Sequence, residues 1–192
     1  MARYIVGITG ASGSAYAIRL LEELLRGGHE VHLVVSQMGQ KVTEYETGIA
    51  LGAGFADAFP QGKLVVHPHD DLFTSISSGS YPTDGMVIVP CSMTTLGEIA
   101  AGTSRNLVGR AADVCIKERR RLVLVPRELP LSPIHLRNML TLSEAGAVIL
   151  PASPGFYHKP QTISDIVDFI VSRIMDSLGI ENNLYRKWRC EE

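Results

Sequence analysis

Short apolar runs alternate with segments of helical period along the chain. The runs that stand out lie at residues 4–9, 31–36, 85–90, 121–126 and 146–151, and a shorter one lies at 63–67. Runs of this length, bounded by glycine, proline and polar residues, are typical of strands that are buried on both faces. The pattern therefore predicts a sheet whose strands are separated by helices.

The clearest helical segment is residues 16–28, which ends at Gly27 and Gly28. Its apolar positions share one face: Ala17, Leu20, Leu21, Leu24 and Leu25. Strand alternating with helix is the pattern of βαβ units, which produce a parallel sheet covered by helices on both sides. We expect an α/β fold, a single Rossmann-like or flavodoxin-like three-layer domain with a mostly parallel sheet.

Composition narrows the classes of partner. The 192-residue chain has a formal net charge of -2 and contains no long run of one sign, so we expect neither nucleic acid nor an anionic membrane as a partner. Cys91, Cys115 and Cys190 are too far apart for a metal motif or a disulfide framework. With no signal-peptide pattern and no apolar stretch long enough to span a bilayer, we expect a cytoplasmic protein that needs no metal.

Ligands of open α/β sheets bind at the carboxyl ends of the strands. After the first strand, residues 9–14 combine glycines with hydroxyl side chains, which suits a phosphate or a flat ring. The spacing is not G-x-G-x-x-G, and Ser36 stands where a dinucleotide site wants an acidic residue. This favours a mononucleotide such as FMN, although a strand-to-helix turn can need glycine for geometry alone.

A second set of hydroxyls follows the run at 85–90. Ser92 is placed to cap a helix, and Thr94 and Thr95 lie in its first turn. Capping explains one hydroxyl, whereas several together indicate an anion site. Cys91 beside them could be a nucleophile, but a small buried cysteine is the more common situation, and no histidine is near it in the sequence.

Cations follow along the chain. In the segment 104–120, a polar stripe is formed by Asn106, Arg110, Asp113 and Lys117, which is either a solvated face with an Asp113–Lys117 pair or a ligand surface. Arg127 and Glu128 then end the run at 121–126 between two prolines. An arginine can bind phosphate bidentately and a neighbouring carboxylate can move a proton, but a structural ion pair is the alternative. Tyr157 lies in a later proline-rich loop at the same predicted edge.

Several motifs together resemble one family over nearly the whole chain, namely the UbiX family of flavin prenyltransferases. They are GITGASGSAY, SGSYPTDGMVIVPCSM, NLVGRAADVCIKERR, LVLVPRELPLSPIHLRNML and PGFYHKP. The resemblance implies metal-independent transfer of a dimethylallyl group from dimethylallyl phosphate to N5 and C6 of reduced FMN. The prenylated FMN would serve UbiD-type decarboxylases, and the chain alone would not decarboxylate. It also implies an FMN-binding domain at 1–180, a C-terminal arm at 181–192, and a homo-oligomer, a dodecamer in that family's pattern, with sites between subunits.

The matching motifs also imply site residues. FMN would contact Gly10, Ala11, Ser12, Ser36, Ser92, Met93, Thr94, Thr95 and Arg127. The prenyl phosphate would contact Arg110, Lys117, Arg127, Glu128, Tyr157 and Arg173. Catalysis would involve Ser12, Glu46, Lys117 and Glu128, with Ser12 and Glu46 near N5. Phe73 and Trp188 would form aromatic walls around the prenyl group.

Two features bear on rival functions. Leu129 stands where the family often has threonine, so any role of that threonine is absent here. The flavin-dependent cysteine decarboxylases share the fold but carry a PASANT-like stretch. The corresponding residues 151–157 of this chain, PASPGFY, match only its first three residues, which argues against that activity. A flavin carrier without chemistry would have little use for cations beyond those that bind the FMN phosphate.

Overall fold

The described part of the chain forms one six-stranded, entirely parallel sheet. The computed structural model describes residues 1–51, 53–57 and 59–185. The strands are β1 (Arg3–Ile8), β2 (Glu30–Val35), β3 (Lys63–His67), β4 (Gly85–Cys91), β5 (Leu122–Pro126) and β6 (Val148–Ile149). Their order across the sheet is β3-β2-β1-β4-β5-β6. The order reverses beside β1, which makes the loops after β1 and β4 the switch point of the sheet.

Helices connect the strands and cover both faces of the sheet. They are α1 (Ser14–Arg26), α2 (Gln37–Thr47), α3 (Ala53–Ala56), α4 (Met93–Ala100), α5 (Leu107–Lys117), α6 (Pro133–Glu144) and α7 (Ile163–Leu178). A short 3₁₀ turn spans Ser75–Ser77. Within the described residues, none of the helices is long and apolar enough to cross a membrane.

Two apolar layers hold the helices on the sheet. Alternate residues of β1 illustrate this, because Val6 belongs to the layer under α1 and α7 whereas Ile5 belongs to the layer under α4, α5 and α6. The predicted apolar face of the first helix is fully buried, as the leucines at 20, 21, 24 and 25 show. The three-layer α/β fold predicted from the sequence is therefore confirmed, and the sheet is wholly parallel.

The predicted elements differ from the observed ones mainly at their ends. Helix α5 is shorter than the segment 104–120, because the side chain of Asn106 caps its start by accepting from Gly109 N at 3.0 Å. Arg119, with a φ of 57°, lies in the left-handed region just beyond its end. The last strand, Val148–Ile149, is shorter than the run at 146–151 and begins after Gly146, whose φ of 95° lies in the left-handed region.

A parallel sheet has two chemically different edges. All strands of this sheet end at one of them, which we call the carboxyl edge, and all begin at the other, the amino edge. Helices α1, α2 and α4 follow strands directly, so their N-termini lie at the carboxyl edge. Helices α5 and α7 each lead away from that edge, so their C-termini lie toward the amino edge.

Candidate active site

The loops after β1 and β4 are joined by one buried hydroxyl. Thr9, only 2% exposed, donates from Oγ1 to Pro90 O at 2.9 Å and accepts from Ser92 N at 2.8 Å. Thr9 N also donates to Pro90 O at 3.2 Å. Thr9 therefore fixes the position of one ligand loop relative to the other. The sequence analysis noted this hydroxyl but did not assign it to the site.

The N-terminus of α1 is capped by a carboxylate from another helix. Gly13 occupies the cap position with a φ of 119°, which favours glycine, and no side chain of its own loop caps the helix. Instead, Glu46 of α2 accepts from Gly13 N at 3.1 Å and from Ser14 N at 2.9 Å. The hydroxyl of Ser12 is near enough to this carboxylate to help lower its pKa. The structure thus brings together Ser12 and Glu46, the two residues that the resemblance places near N5.

The environment of Glu46 favours its charged form. Desolvation raises the pKa of the Glu46 carboxyl, but hydrogen bonds from Ser12, Ser14 and Gly13 outweigh it and hold the pKa below its usual value. The positive end of α1 acts in the same direction. The carboxylate is therefore ionised at neutral pH and able to accept a proton, although a lowered pKa makes it a weaker base.

Two predicted flavin-contacting serines serve as helix caps. Ser36 Oγ accepts from Gly39 N at 3.0 Å at the start of α2, and Ser92 Oγ accepts from Thr95 N at 3.2 Å at the start of α4. Ser92 also donates to Thr95 Oγ1 at 3.1 Å. Capping therefore accounts for these contacts, and it also directs two more positive helix ends toward the carboxyl edge.

Glycine at position 10 is required by close packing. A Cβ there would lie 2.4 Å from Met38 Cγ, so the side chain of Met38 covers the backbone of the loop after β1. The following Ala11 is buried, whereas Met93 and Thr94, in the first turn of α4, are partly or fully exposed. These residues lie on the loops that the resemblance assigns to FMN, and their contacts with a flavin remain a prediction.

Arg127 and Glu128 emerge at the carboxyl edge directly after β5. Both are exposed, and Glu128 Oε1 accepts from Leu129 N at 3.1 Å. Within the described residues, Arg127 forms no hydrogen bond or ion pair. The alternative of a structural Arg127–Glu128 ion pair is thus not observed in this part of the chain. The guanidinium is available to an anionic ligand.

Two further predicted phosphate ligands lie on α5, Arg110 in its first turn and Lys117 at its last residue. Arg110 donates to Ser77 O at 3.0 Å and to Asp113 Oδ2 at 2.8 Å. Lys117 pairs with Glu118, and its Nζ would lie 2.6 Å from a Cβ at Gly79. The Asp113–Lys117 pair of the solvated-face alternative is therefore not observed, since each residue has a different partner.

Topology puts Lys117 and Arg173 near the amino edge. Lys117 is ten residues beyond Leu107, so the helical rise separates the two by about 15 Å. Arg173 lies equally far beyond the start of α7, where it donates to Asp176 Oδ2 at 3.0 Å. Within one chain the structure therefore does not bring these cations to Arg127.

The predicted aromatic and tyrosine contacts lie in loops. Phe73 is fully exposed in the segment after β3, and Tyr157 is 74% exposed in the loop before α7. Trp188 lies outside the described residues. These exposures are compatible with contacts to a ligand or to a second subunit.

The structure argues against thiol chemistry at Cys91. Burial raises the pKa of the Cys91 thiol to about 12, and the side chain is fully buried at the end of β4. A thiol in that environment stays protonated and is a poor nucleophile. Among the described residues, no group of His, Cys, Asp and Glu side chains is placed to hold a metal ion.

The carboxyl edge fits the FMN predicted from the sequence. Its anion-binding features are the N-termini of α2 and α4 together with the exposed guanidinium of Arg127, which suit the FMN phosphate, whereas Glu46 already caps the N-terminus of α1. The Ser12–Glu46 pair supplies polar groups beside the same loop. We infer this fit from the donor groups present.

Comparisons with known proteins support the same assignment. Residues 1–175 match the model of the Flavoprotein family. Over 96% of its length the chain is 50% identical to "Flavin prenyltransferase UbiX" of Halalkalibacterium halodurans, covering 92% of that protein. The structure of AnUbiX (PadA1) in complex with FMN and dimethylallyl pyrophosphate is 43% identical, with a TM-score of 0.92 and coverage of 100% and 99% of the two chains.

A second solved structure is described as a dodecameric FMN-dependent UbiX-like decarboxylase from Escherichia coli O157:H7. It is 46% identical, with a TM-score of 0.89 and coverage of 97% of this chain and 99% of that one. Identities of this size over almost complete chains establish more than a shared fold. The chain therefore belongs to the UbiX family of flavin prenyltransferases.

Proposed function

We propose that the protein transfers a dimethylallyl group from dimethylallyl phosphate to N5 and C6 of reduced FMN. The observation that carries this proposal is the carboxyl edge itself, where the ionised Glu46 lies beside Ser12 and Arg127 is available to an anion. Membership of the UbiX family supports the same reaction. A prenylated FMN is the product, and no metal takes part.

The flavin is held by the loops after β1, β2, β4 and β5. The N-termini of α2 and α4 and the guanidinium of Arg127 bind its phosphate, and the loop after β1 contacts the ring. Reduced FMN supplies the nucleophilic N5 and C6 when bound. Glu46 accepts the proton that N5 loses on alkylation, and Ser12 lies beside the carboxylate. The bond to C6 then forms as the double bond of the transferred group takes up one proton and C6 loses one, so this second step releases no net proton.

The donor requires stabilisation of its leaving phosphate. The C–O bond of the donor breaks, and the departing phosphate gains negative charge that positive side chains can offset. We assign this role to Arg110, Lys117, Arg127 and Arg173. Glu128 exchanges the proton of the phosphate and Tyr157 donates a hydrogen bond to it.

These cations can meet only if subunits share the site. Lys117 and Arg173 lie about 15 Å along their helices from the ends nearest the carboxyl edge. The surface near α6 also exposes large apolar side chains, namely Leu129, Leu131, Ile134, Leu136 and Leu140. Such a surface is unusual on a monomer and suits contact with another copy. We therefore propose a homo-oligomer, and the E. coli relative described as dodecameric supports this.

The protein does not decarboxylate aromatic acids alone. Decarboxylation needs an electron sink that bonds to the substrate, and an unmodified flavin held by serines and arginines offers none. The product therefore passes to a second protein, a UbiD-type decarboxylase. The word decarboxylase in the description of the E. coli relative makes a direct test necessary.

One experiment tests both the prenyl transfer and the proposed lack of decarboxylase activity. The protein is incubated without oxygen with reduced FMN and either dimethylallyl phosphate or dimethylallyl pyrophosphate, and the flavin product is weighed by mass spectrometry. We expect the reduced flavin to gain the mass of one dimethylallyl group less one hydrogen, because the group replaces the hydrogen on N5. A parallel sample with a phenolic acid is monitored for carbon dioxide. Steady release in the absence of a UbiD-type decarboxylase would show that the protein does decarboxylate alone. An unchanged flavin with both donors would refute the prenyl transfer.

A further inference from the structure

An aromatic cluster lies behind the loop that carries Tyr157. The His158 ring stacks on Phe169 of α7 with centroids 5.3 Å apart and planes 5° apart. Tyr185, at the end of the described chain, meets His158 at 5.4 Å and Phe169 at 4.9 Å. These three rings, which we call the aromatic cluster, connect the loop before α7, the helix itself and the segment after it.

The histidine contributes to this cluster through its ring. Both Nδ1 and Nε2 of His158 are buried and have no hydrogen-bond partner within the described residues. Unpaired buried polar atoms cost free energy, so these nitrogens do not explain why the ring stays in place. Stacking on Phe169 and the edge contact with Tyr185 do explain it.

The same helix residue also supports the backbone next to Tyr157. A Cβ at Gly155 would lie 3.3 Å from Phe169 Cζ and 3.4 Å from Tyr157 Cδ2, so the chain passes closely over both rings. Beyond the loop, Thr162 and Asp165 form a capping box that fixes the start of α7. Tyr157 is thus presented from a short segment that is pinned at Gly155 and at His158.

We propose that His158 is a positioning residue that seats the Tyr157 hydroxyl for the prenyl phosphate, acting through ring stacking and not through its nitrogens. The proposal rests on the proposed function, in which Tyr157 is a donor to that phosphate. A loop of this length without its anchor would let the hydroxyl move, and small displacements of positioning groups have large effects on rate and binding.

The test compares two substitutions at one position. In His158→Phe the stack is kept and the unpaired nitrogens are removed, whereas in His158→Ala the stack is lost. We expect His158→Ala to raise the KM for dimethylallyl phosphate about tenfold, with kcat reduced less and FMN affinity within about twofold of the wild type. His158→Phe should restore the KM to the wild-type value. A loss in His158→Phe as large as in His158→Ala would overturn the proposal.

A double-mutant cycle separates positioning from general damage. If His158 acts through Tyr157, adding His158→Ala to Tyr157→Phe should change the KM for dimethylallyl phosphate by less than about twofold, because the hydroxyl is already gone. Fully additive effects would contradict the proposal. Thermal unfolding of each variant is measured beside it, and Phe169→Leu replaces His158→Ala if the latter does not fold.

A binding measurement keeps this result separate from the proposed function. Calorimetric titration of the FMN-loaded protein with dimethylallyl phosphate reports donor affinity whether or not turnover occurs. Donor binding by the wild type with no prenylated product would refute the proposed reaction, and the cycle would then be measured with donor affinities in place of KM values. Equal donor affinity in the wild type and in a folded His158→Ala would refute the role of His158.

Discussion

The two edges of the sheet use charge differently. At the carboxyl edge, Arg127 is exposed and has no partner within the described residues, and the Glu46 carboxylate is held only by serine and backbone donors. At the amino edge, charged groups satisfy one another. Glu30 accepts from Arg3 at 3.1 Å and from Lys63 at 3.2 Å although its side chain is only 6% exposed.

The amino edge is organised for stability. The Glu30 carboxylate also meets His32 Nε2 at 3.1 Å, and His32 Nδ1 lies 2.7 Å from His67 Nε2. A buried carboxylate is tolerated because several donors surround it. The difference teaches that paired charge marks the structural edge of this sheet and charge without a protein partner marks the edge that binds ligands.

Lys117 is the residue that most directly challenges this division, because it lies toward the amino edge but is assigned to the donor phosphate. Its partner Glu118 is on the surface, and such exposed pairs contribute little to stability. Lys117→Ala should lower prenyl transfer by about 1,000-fold through loss of leaving-group stabilisation while FMN still binds. Product mass and flavin content measure the two effects.

The matched control is Glu118→Gln, which keeps Lys117 and removes only the negative charge that pairs with it. It should retain near-normal transfer. Normal turnover in Lys117→Ala would instead assign the lysine to a solvated helix face, and the predicted site would then lose its main contribution from a second subunit.

Glu46→Gln tests the carboxyl edge. The amide can still accept from Gly13 N and Ser14 N and thus keep α1 capped, but it cannot accept the proton lost from N5. We expect transfer to slow by about 100-fold with FMN affinity preserved. Glu44→Gln on the same helix is the control. Weak flavin binding with normal chemistry in the loaded fraction would show that Glu46 is structural.

The sequence predicted the framework well because buried strands and helices leave strong periodic patterns. Each apolar run became a strand, and the leucine face of α1 is fully buried. Ser36, Ser92, Arg127 and Glu128 were placed at one edge on topology alone, since strands that run parallel end together. The resemblance then added Glu46, which no pattern within this sequence singles out.

What the sequence could not predict depends on contacts between distant segments. Glu46 caps a helix that begins 32 residues earlier, and no local capping pattern reveals that. The sequence left the partners of Asp113 and Lys117 open, because a side chain on one stripe can pair within it, as Asp113 does with Arg110, or outside it, as Lys117 does with Glu118. Periodicity gives the face on which a residue lies, but not its partner.

Thr9 offers a smaller test of how the carboxyl edge is built. Replacing it with valine keeps the shape but leaves Ser92 N and Pro90 O without their hydroxyl partner in the middle of the sheet. We expect FMN affinity to fall about tenfold, since one buried unsatisfied group costs roughly 1–3 kcal/mol. Thr9→Ser retains the hydroxyl and should bind FMN nearly normally. Equal flavin affinities in Thr9→Val and the wild type would show that the two loops hold their places without it.

The smallest effect on prenyl transfer is expected at Glu30, which stabilises the fold at neutral pH and loses that contribution in acid. Burial raises the pKa of Glu30, but hydrogen bonds from Arg3, Lys63 and His32 outweigh it and lower the pKa from 4.5 to about 2. A group whose pKa is lowered by folding stabilises the protein above its unfolded pKa, and that stability is lost as the pH falls from about 4.5 toward about 2. The free energy of unfolding of the wild type, measured with urea, should therefore fall steeply as the pH is lowered through this interval. Glu30→Gln, already less stable at pH 7, should show a flatter dependence on pH there. Glu144→Gln, an exposed control, should follow the wild type. Parallel profiles for the wild type and Glu30→Gln would show that the charge network at the amino edge does not stabilise the fold, and the contrast between the two edges would then rest on ligand binding alone.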